Sequence, residues 1–70
     1  MRGTVKYWNS DKGYGFIARE GGGPELFCHV SSLSEDLEGL AFGDRVEFDE
    51  AISARNGKPE AKNVKVLVHG

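Results

Sequence analysis

Tyr14 and Phe16 stand at i and i+2 with only Gly15 between them, inside the run Lys12-Gly13-Tyr14-Gly15-Phe16-Ile17. On a β-strand, side chains two positions apart lie on one face, so the two rings make a single aromatic surface. Glycine inside a strand costs stability and marks a place where something approaches the backbone closely. Gly13 and Gly15 are therefore expected to leave the rings unshielded, with the charge of Lys12 beside them. The chemistry open to such a stretch is stacking of a planar, negatively charged ligand. Leu26-Phe27-Cys28-His29-Val30 repeats the device, with Phe27 and His29 on one side and Leu26 and Cys28 on the other. Two such strands side by side would form one platform.

Aromatics at i and i+2 are more often the core face of a strand, and the opposite faces decide between the two readings. Ile17, Leu26, Cys28 and Val30 are the apolar alternates. A small barrel fills its interior with such side chains, which leaves Phe16, Phe27 and His29 facing out. A histidine is also a poor occupant of a dry core without a partner. Upstream, strict alternation along Val5-Lys6-Tyr7-Trp8 pairs Val5 with Tyr7 and Lys6 with Trp8, so only one of the two rings reaches the platform.

These stretches resemble the paired ribonucleoprotein motifs of the cold-shock domain family. Lys6-Tyr7-Trp8-Asn9-Ser10-Asp11 is similar to that family's first strand and turn, and Gly43 to Phe48 and Pro59 to Val64 fall where it has its fourth and fifth strands, so the resemblance covers essentially the whole chain. The hexapeptide alone also fits the RNA-recognition-motif signature. That fold needs a strand and a helix before the hexapeptide, and the short stretch ahead of Lys12 cannot hold both when a helix averages about 11 to 12 residues. In the family, the residues matching Tyr7 and Trp8 are usually tryptophan and then another aromatic, both associated with the binding surface. Here the order is exchanged, and either ring could be the one that stacks. Val30 stands where the family usually has phenylalanine, Leu37 lies near the place of another common aromatic, and Glu60 occupies a site where neutral glutamine is frequent.

The elements that must position these residues follow from turn chemistry. Thr4 to Trp8 is β-rich and ends at the turn formers Asn9-Ser10-Asp11-Lys12-Gly13. The second strand runs through Ala18-Arg19-Glu20 to Gly21-Gly22-Gly23-Pro24, a reversal, and Glu25 opens the third. This glycine loop is not a phosphate cradle, because no Gly-Lys-Ser or Gly-Lys-Thr and no helix follow it. Ser31 to Ser34 suits a short helical turn, and the segment through Leu40 reads as a loop. From Asp44 the alternation returns, with Val46 and Phe48 inward, and after the turn Ser53 to Pro59 a fifth strand alternates through Val64, Val66 and Val68. Five short strands without a helix or repeat predict an all-β, closed antiparallel barrel, whose closure removes exposed edges. The resemblance implies that this five-stranded barrel is an OB-fold.

A chain of 70 residues with 39% hydrophobic content supports one small domain, expected over 1–70. Cys28 is the one cysteine, so no disulfide forms within the chain, and its inward phase makes it a small buried hydrophobe with no nucleophilic or metal-binding role. No apolar run is long enough for a signal peptide or a membrane span, so a cytoplasmic location is expected. The formal charge of -2 opposes a nucleic-acid partner only on average. Arg2, Lys6, Lys12 and Arg19 crowd the first strands with only Asp11 among them, whereas Glu35, Asp36, Glu38, Asp44, Glu47, Asp49 and Glu50 crowd the middle as a solvated face. A basic strip beside the aromatics is expected.

The binding residues expected from this reading are Lys6, Lys12, Tyr14, Phe16, Phe27, His29 and one of Tyr7 or Trp8, with the rings stacking bases and the lysines meeting phosphates. The ligand is single-stranded RNA or DNA taken with little sequence reading, since duplex bases already stack on one another. The resemblance implies a free-standing bacterial-type protein that acts as an RNA chaperone, antiterminator or regulator of gene expression. No cofactor, metal, membrane or small-molecule substrate is expected, and a closed small domain is most simply a monomer. Ser31, Ser32 and His29 lie close in sequence, but nothing fixes them as a nucleophile with a base and an orienter, so no catalysis is expected. The alternative is an OB-fold that binds protein through a face weakened for nucleic acid by Val30, Leu37 and Glu60.

Overall fold

The computed structural model describes residues 1–69 and folds them into strands β1 (Arg2–Asn9), β2 (Tyr14–Arg19), β3 (Leu26–His29), β4 (Arg45–Ile52) and β5 (Pro59–Val68). Gly70, the last residue of the single domain expected over 1–70, lies outside the described residues. A 3-10 turn at Val30–Ser32 follows β3, where the serine-rich segment suggested a helical turn. The β2–β3 reversal passes through Gly22 and Gly23 at φ of 87° and 98°, a region that side chains disfavour, which is why this loop is built of glycine. No helix among the described residues is long and apolar enough to cross a membrane.

The strands close into a barrel in the order β1-β2-β3-β5-β4. β1–β2, β2–β3, β1–β4 and β4–β5 are antiparallel, and the closing β3–β5 pair is parallel, with Phe27 opposite Glu60. A ring of five strands cannot alternate direction all the way round, so an otherwise antiparallel barrel must contain one parallel seam. An isolated parallel bridge from Leu33 to Val64 extends it.

Val5, Ile17, Leu26, Cys28, Val46, Phe48, Ala61 and Val64 fill the interior, joined by Leu40 from the long loop. The inward phases of Ile17, Leu26, Cys28, Val46 and Phe48 are those their alternation indicated. Val30 departs from it. β3 ends at His29, so Val30 begins the 3-10 turn and is half-buried, with Cγ1 3.1 Å from where a Cβ on Gly13 would lie. β5 departs as well, because Ala61 and Val64 are both buried although three residues apart. Asp49 pairs with Lys62 and Glu47 with Lys65, so β5 takes one more residue than β4 over this span, and Asn63 absorbs it at φ 53°. A second register shift follows, and Val68 emerges 61% exposed where simple alternation would bury it.

Candidate nucleic-acid interface

β1 reaches the ring-bearing face through an irregularity that alternation alone does not reveal. Val5 pairs with Ile17 and Tyr7 with the next residue, Phe16, which leaves Lys6 as the extra residue of a β-bulge. The bulge reverses the phase of the strand end. Val5 stays in the core, whereas Tyr7, which strict alternation places beside it, turns outward with 44% exposure. Trp8 correspondingly turns the other way, half-buried against the core cluster. Its ring lies over Gly15 and beside Gly39. A side chain at Gly15 would strike the Tyr7 carbonyl and the Trp8 ring, so this glycine makes room for the chain's own indole. The sequence-based expectation that Gly15 opens the ring face is thereby corrected, since its missing side chain belongs to the face opposite Tyr14 and Phe16.

Strand register then assembles five rings. Tyr7 is opposite Phe16, Phe16 opposite Phe27, and Tyr14 opposite His29. Tyr14 and Phe27 are stacked with centroids 5.6 Å apart and planes 26° apart, and Phe27 and His29 lie 6.4 Å apart at 29°. Phe16 meets Phe27 and Tyr14 edge to face at 6.0 and 6.1 Å, and Tyr7 is 6.1 Å from Tyr14 and 6.2 Å from Phe16. Such separations fall in the range of favourable aromatic pairs, so the rings brace one another while their outer faces stay open. Asn9 Nδ2 donates to the Tyr7 hydroxyl at 3.2 Å, and the Ser31 amide donates to His29 Nδ1 at 3.1 Å. With Nδ1 engaged as an acceptor, a neutral His29 carries its proton on Nε2. Trp8 is outside the ring contacts found among the described residues.

The expected basic strip is only half present. Arg19 donates to Glu50 at 3.0 Å and to the Pro24 carbonyl at 3.2 Å, and Arg2 lies 3.7 Å from Glu47, so both are engaged by acidic β4 and its neighbour. For Arg2 the cause is the β1–β4 pairing, which sets it directly opposite Glu47. Lys6 on the bulge and Lys12 in the first turn are exposed and enter no ion pair among the described residues.

Further cations come from a segment that reads in sequence only as a turn. The β3–β5 seam brings the β4–β5 loop beside the rings, where Phe16, Phe27, Arg55, Lys58, Pro59 and Glu60 line a groove of about 650 Å³. That volume lies within the range of about 300–1,000 Å³ that accepts small planar ligands. A second hollow continues past His29 to Arg55 and Lys62. The sequence signal for these residues is two cations flanking Asn56-Gly57 in a loop, and it becomes meaningful only with the parallel seam known. Cys28 lies beneath this face, its thiol pushed up to about 11 by burial and then by the charge of Glu60, and it is protonated and inert near neutrality.

Residues 1–67 match the family model described as 'Cold-shock' DNA-binding domain. Among curated proteins, the Cold shock-like protein of Aquifex aeolicus is 45% identical over 68 residues, which cover 96% of this chain and 94% of the relative. Cold shock-like protein CspC of Bacillus cereus is 45% identical over 68 residues, covering 96% of this chain and all of the relative. Cold shock protein ScoF of Streptomyces coelicolor is 44% identical over 63 residues, 89% of this chain and 91% of its own.

Proposed function

Since the chain belongs to the cold-shock domain family, whose members bind nucleic acid and are not enzymes, we propose that it holds single-stranded RNA or DNA on the five-ring face of β1–β3. The observation that carries this reading is the continuous surface of Tyr7, Tyr14, Phe16, Phe27 and His29, braced ring to ring and left open on its outer side. Every base offers a π-face, so stacking is indifferent to sequence, at roughly 1 to 3 kcal/mol per base. Three or four stacks, less the cost of ordering the strand, give binding near micromolar. Lys6 and Lys12 take phosphates. Trp8 supports the platform from behind. A duplex offers no free π-face and is refused.

In the cell this activity keeps single strands open without consuming anything, as an RNA chaperone, antiterminator or regulator of gene expression in a stress response does. The chain acts as one domain over 1–70, as a monomer in the cytoplasm. Anisotropy of labelled heptathymidine tests the reading: a dissociation constant near micromolar, with the matching duplex bound at least tenfold more weakly, is the expected result. No binding at hundreds of micromolar would overturn it in favour of a protein-binding OB-fold.

A further inference from the structure

Resting on single-strand binding by this face, we propose that Glu60 makes the subsite beside Phe27 selective for guanine. Glu60 is registered opposite Phe27 on the parallel seam, and its strand neighbour Ala61 points into the core, so Glu60 shares the outward face with the rings. It stands where the Phe27 groove meets the hollow beside His29 and lines both. Its side chain is 13% exposed, and one carboxylate oxygen meets Lys62 at 3.3 Å. Arg55, Lys58 and Lys62 line the same two hollows, which lets a strand of phosphates pass beside this negative charge.

A carboxylate only accepts hydrogen bonds. A base stacked on Phe27 with its edge toward β5 therefore gains according to the donors it presents. Guanine presents two adjacent donors, N1–H and the N2 amine, which match the two oxygens. Adenine and cytosine each present one amine beside a ring acceptor, and thymine or uracil presents N3–H between two carbonyls that the carboxylate repels. Stacking elsewhere on the face stays indifferent, so selection is confined to one nucleotide of the bound strand.

Inosine isolates the effect, because it lacks the N2 amine while keeping the size and N1–H of guanine. Heptathymidine carrying one guanine or one inosine, stepped through each position, is titrated against the protein and against Glu60→Gln. At the position over Phe27 guanine should bind roughly tenfold tighter than inosine to the native protein. In Glu60→Gln the difference should fall within twofold, since an amide accepts from N1–H and donates to O6 and both bases offer that pair. Equal binding of guanine and inosine at every position, with heptathymidine still bound near micromolar, overturns the role of Glu60 alone. A guanine preference that survives in Glu60→Gln does the same. No binding of any oligonucleotide overturns both this inference and the binding reading beneath it.

Discussion

Replacing Phe27 by alanine separates a ligand platform from a misplaced core, because the two predict opposite balances of affinity and stability. Phe27 sits centrally, in contact with Tyr14, Phe16 and His29, and is half-buried, whereas Phe48 at 1% exposure is the largest side chain sealed in the barrel. Truncating a fully buried phenylalanine costs about 3 to 5 kcal/mol in transfer and cavity terms, enough to unfold a domain of this size. Phe27 leaves no closed cavity, and Tyr14 and Phe16 remain paired with each other, although His29 loses its ring contact. The loss there should be about 1.5 to 3 kcal/mol, from three half-exposed ring pairs worth about 0.5 to 1 kcal/mol each, the lower part of the usual range. Binding should weaken by about 1 to 3 kcal/mol, one base stack, which is roughly 5- to 150-fold. Urea unfolding and heptathymidine anisotropy on Phe27→Ala and Phe48→Ala give both quantities. The reasoning is refuted if Phe27→Ala unfolds as readily as Phe48→Ala, or if it stays stable and binds within twofold of the native chain.

Val30→Phe should tighten oligonucleotide binding by about 1 to 3 kcal/mol with little loss of stability, because Val30 has left the barrel; unchanged affinity in anisotropy would remove the position from the ligand's path. The salt dependence of binding should be shallow, with log K falling against log salt at a slope of about -2 to -3 for three or four phosphates met by Lys6, Lys12 and the loop cations. A slope steeper than about -5 would put charge above stacking. Between pH 9 and 11 the unfolded chain gains from ionising Cys28 before the folded one can, so stability is lost as pH rises through that window. Urea unfolding should show Cys28→Ala losing about 2 kcal/mol less than the native chain over this interval, and parallel curves would contradict the burial argument.

What could be read from the sequence was what short-range pattern dictates. The strands, the outward rings of β2 and β3 and the inward Ile17, Leu26 and Cys28 follow from period-two alternation bounded by turn formers. Lys6 shows why the neighbouring rings were not separable: a one-residue bulge exchanges the faces of Tyr7 and Trp8 without any mark in composition. Asn63 does the same in β5, breaking the march through Val64, Val66 and Val68. The pairing of Arg2 and Arg19 with β4, and the placement of Arg55 and Lys58 beside Phe27, depend on contacts between distant parts of the chain. Charge counted along the sequence placed the cations in the first strands, while the folded groove draws part of its positive lining from the fourth turn.

The parallel seam between β3 and β5 also fixes when the face can exist during folding. β1, β2 and β3 are consecutive and joined by short turns, so their rings meet through local encounters, yet the reverse side of that meander is the naked apolar row of Ile17, Leu26 and Cys28. β4 brings Val46 and Phe48 against it, and the last strand adds Ala61 and Val64 to complete the cover. On a growing polypeptide the stacking residues thus emerge first and gain their rigid backing last. A strand of nucleic acid lying over Phe27 and the β4–β5 loop straddles that final closure, so it would hold shut the last-synthesised joint of the barrel.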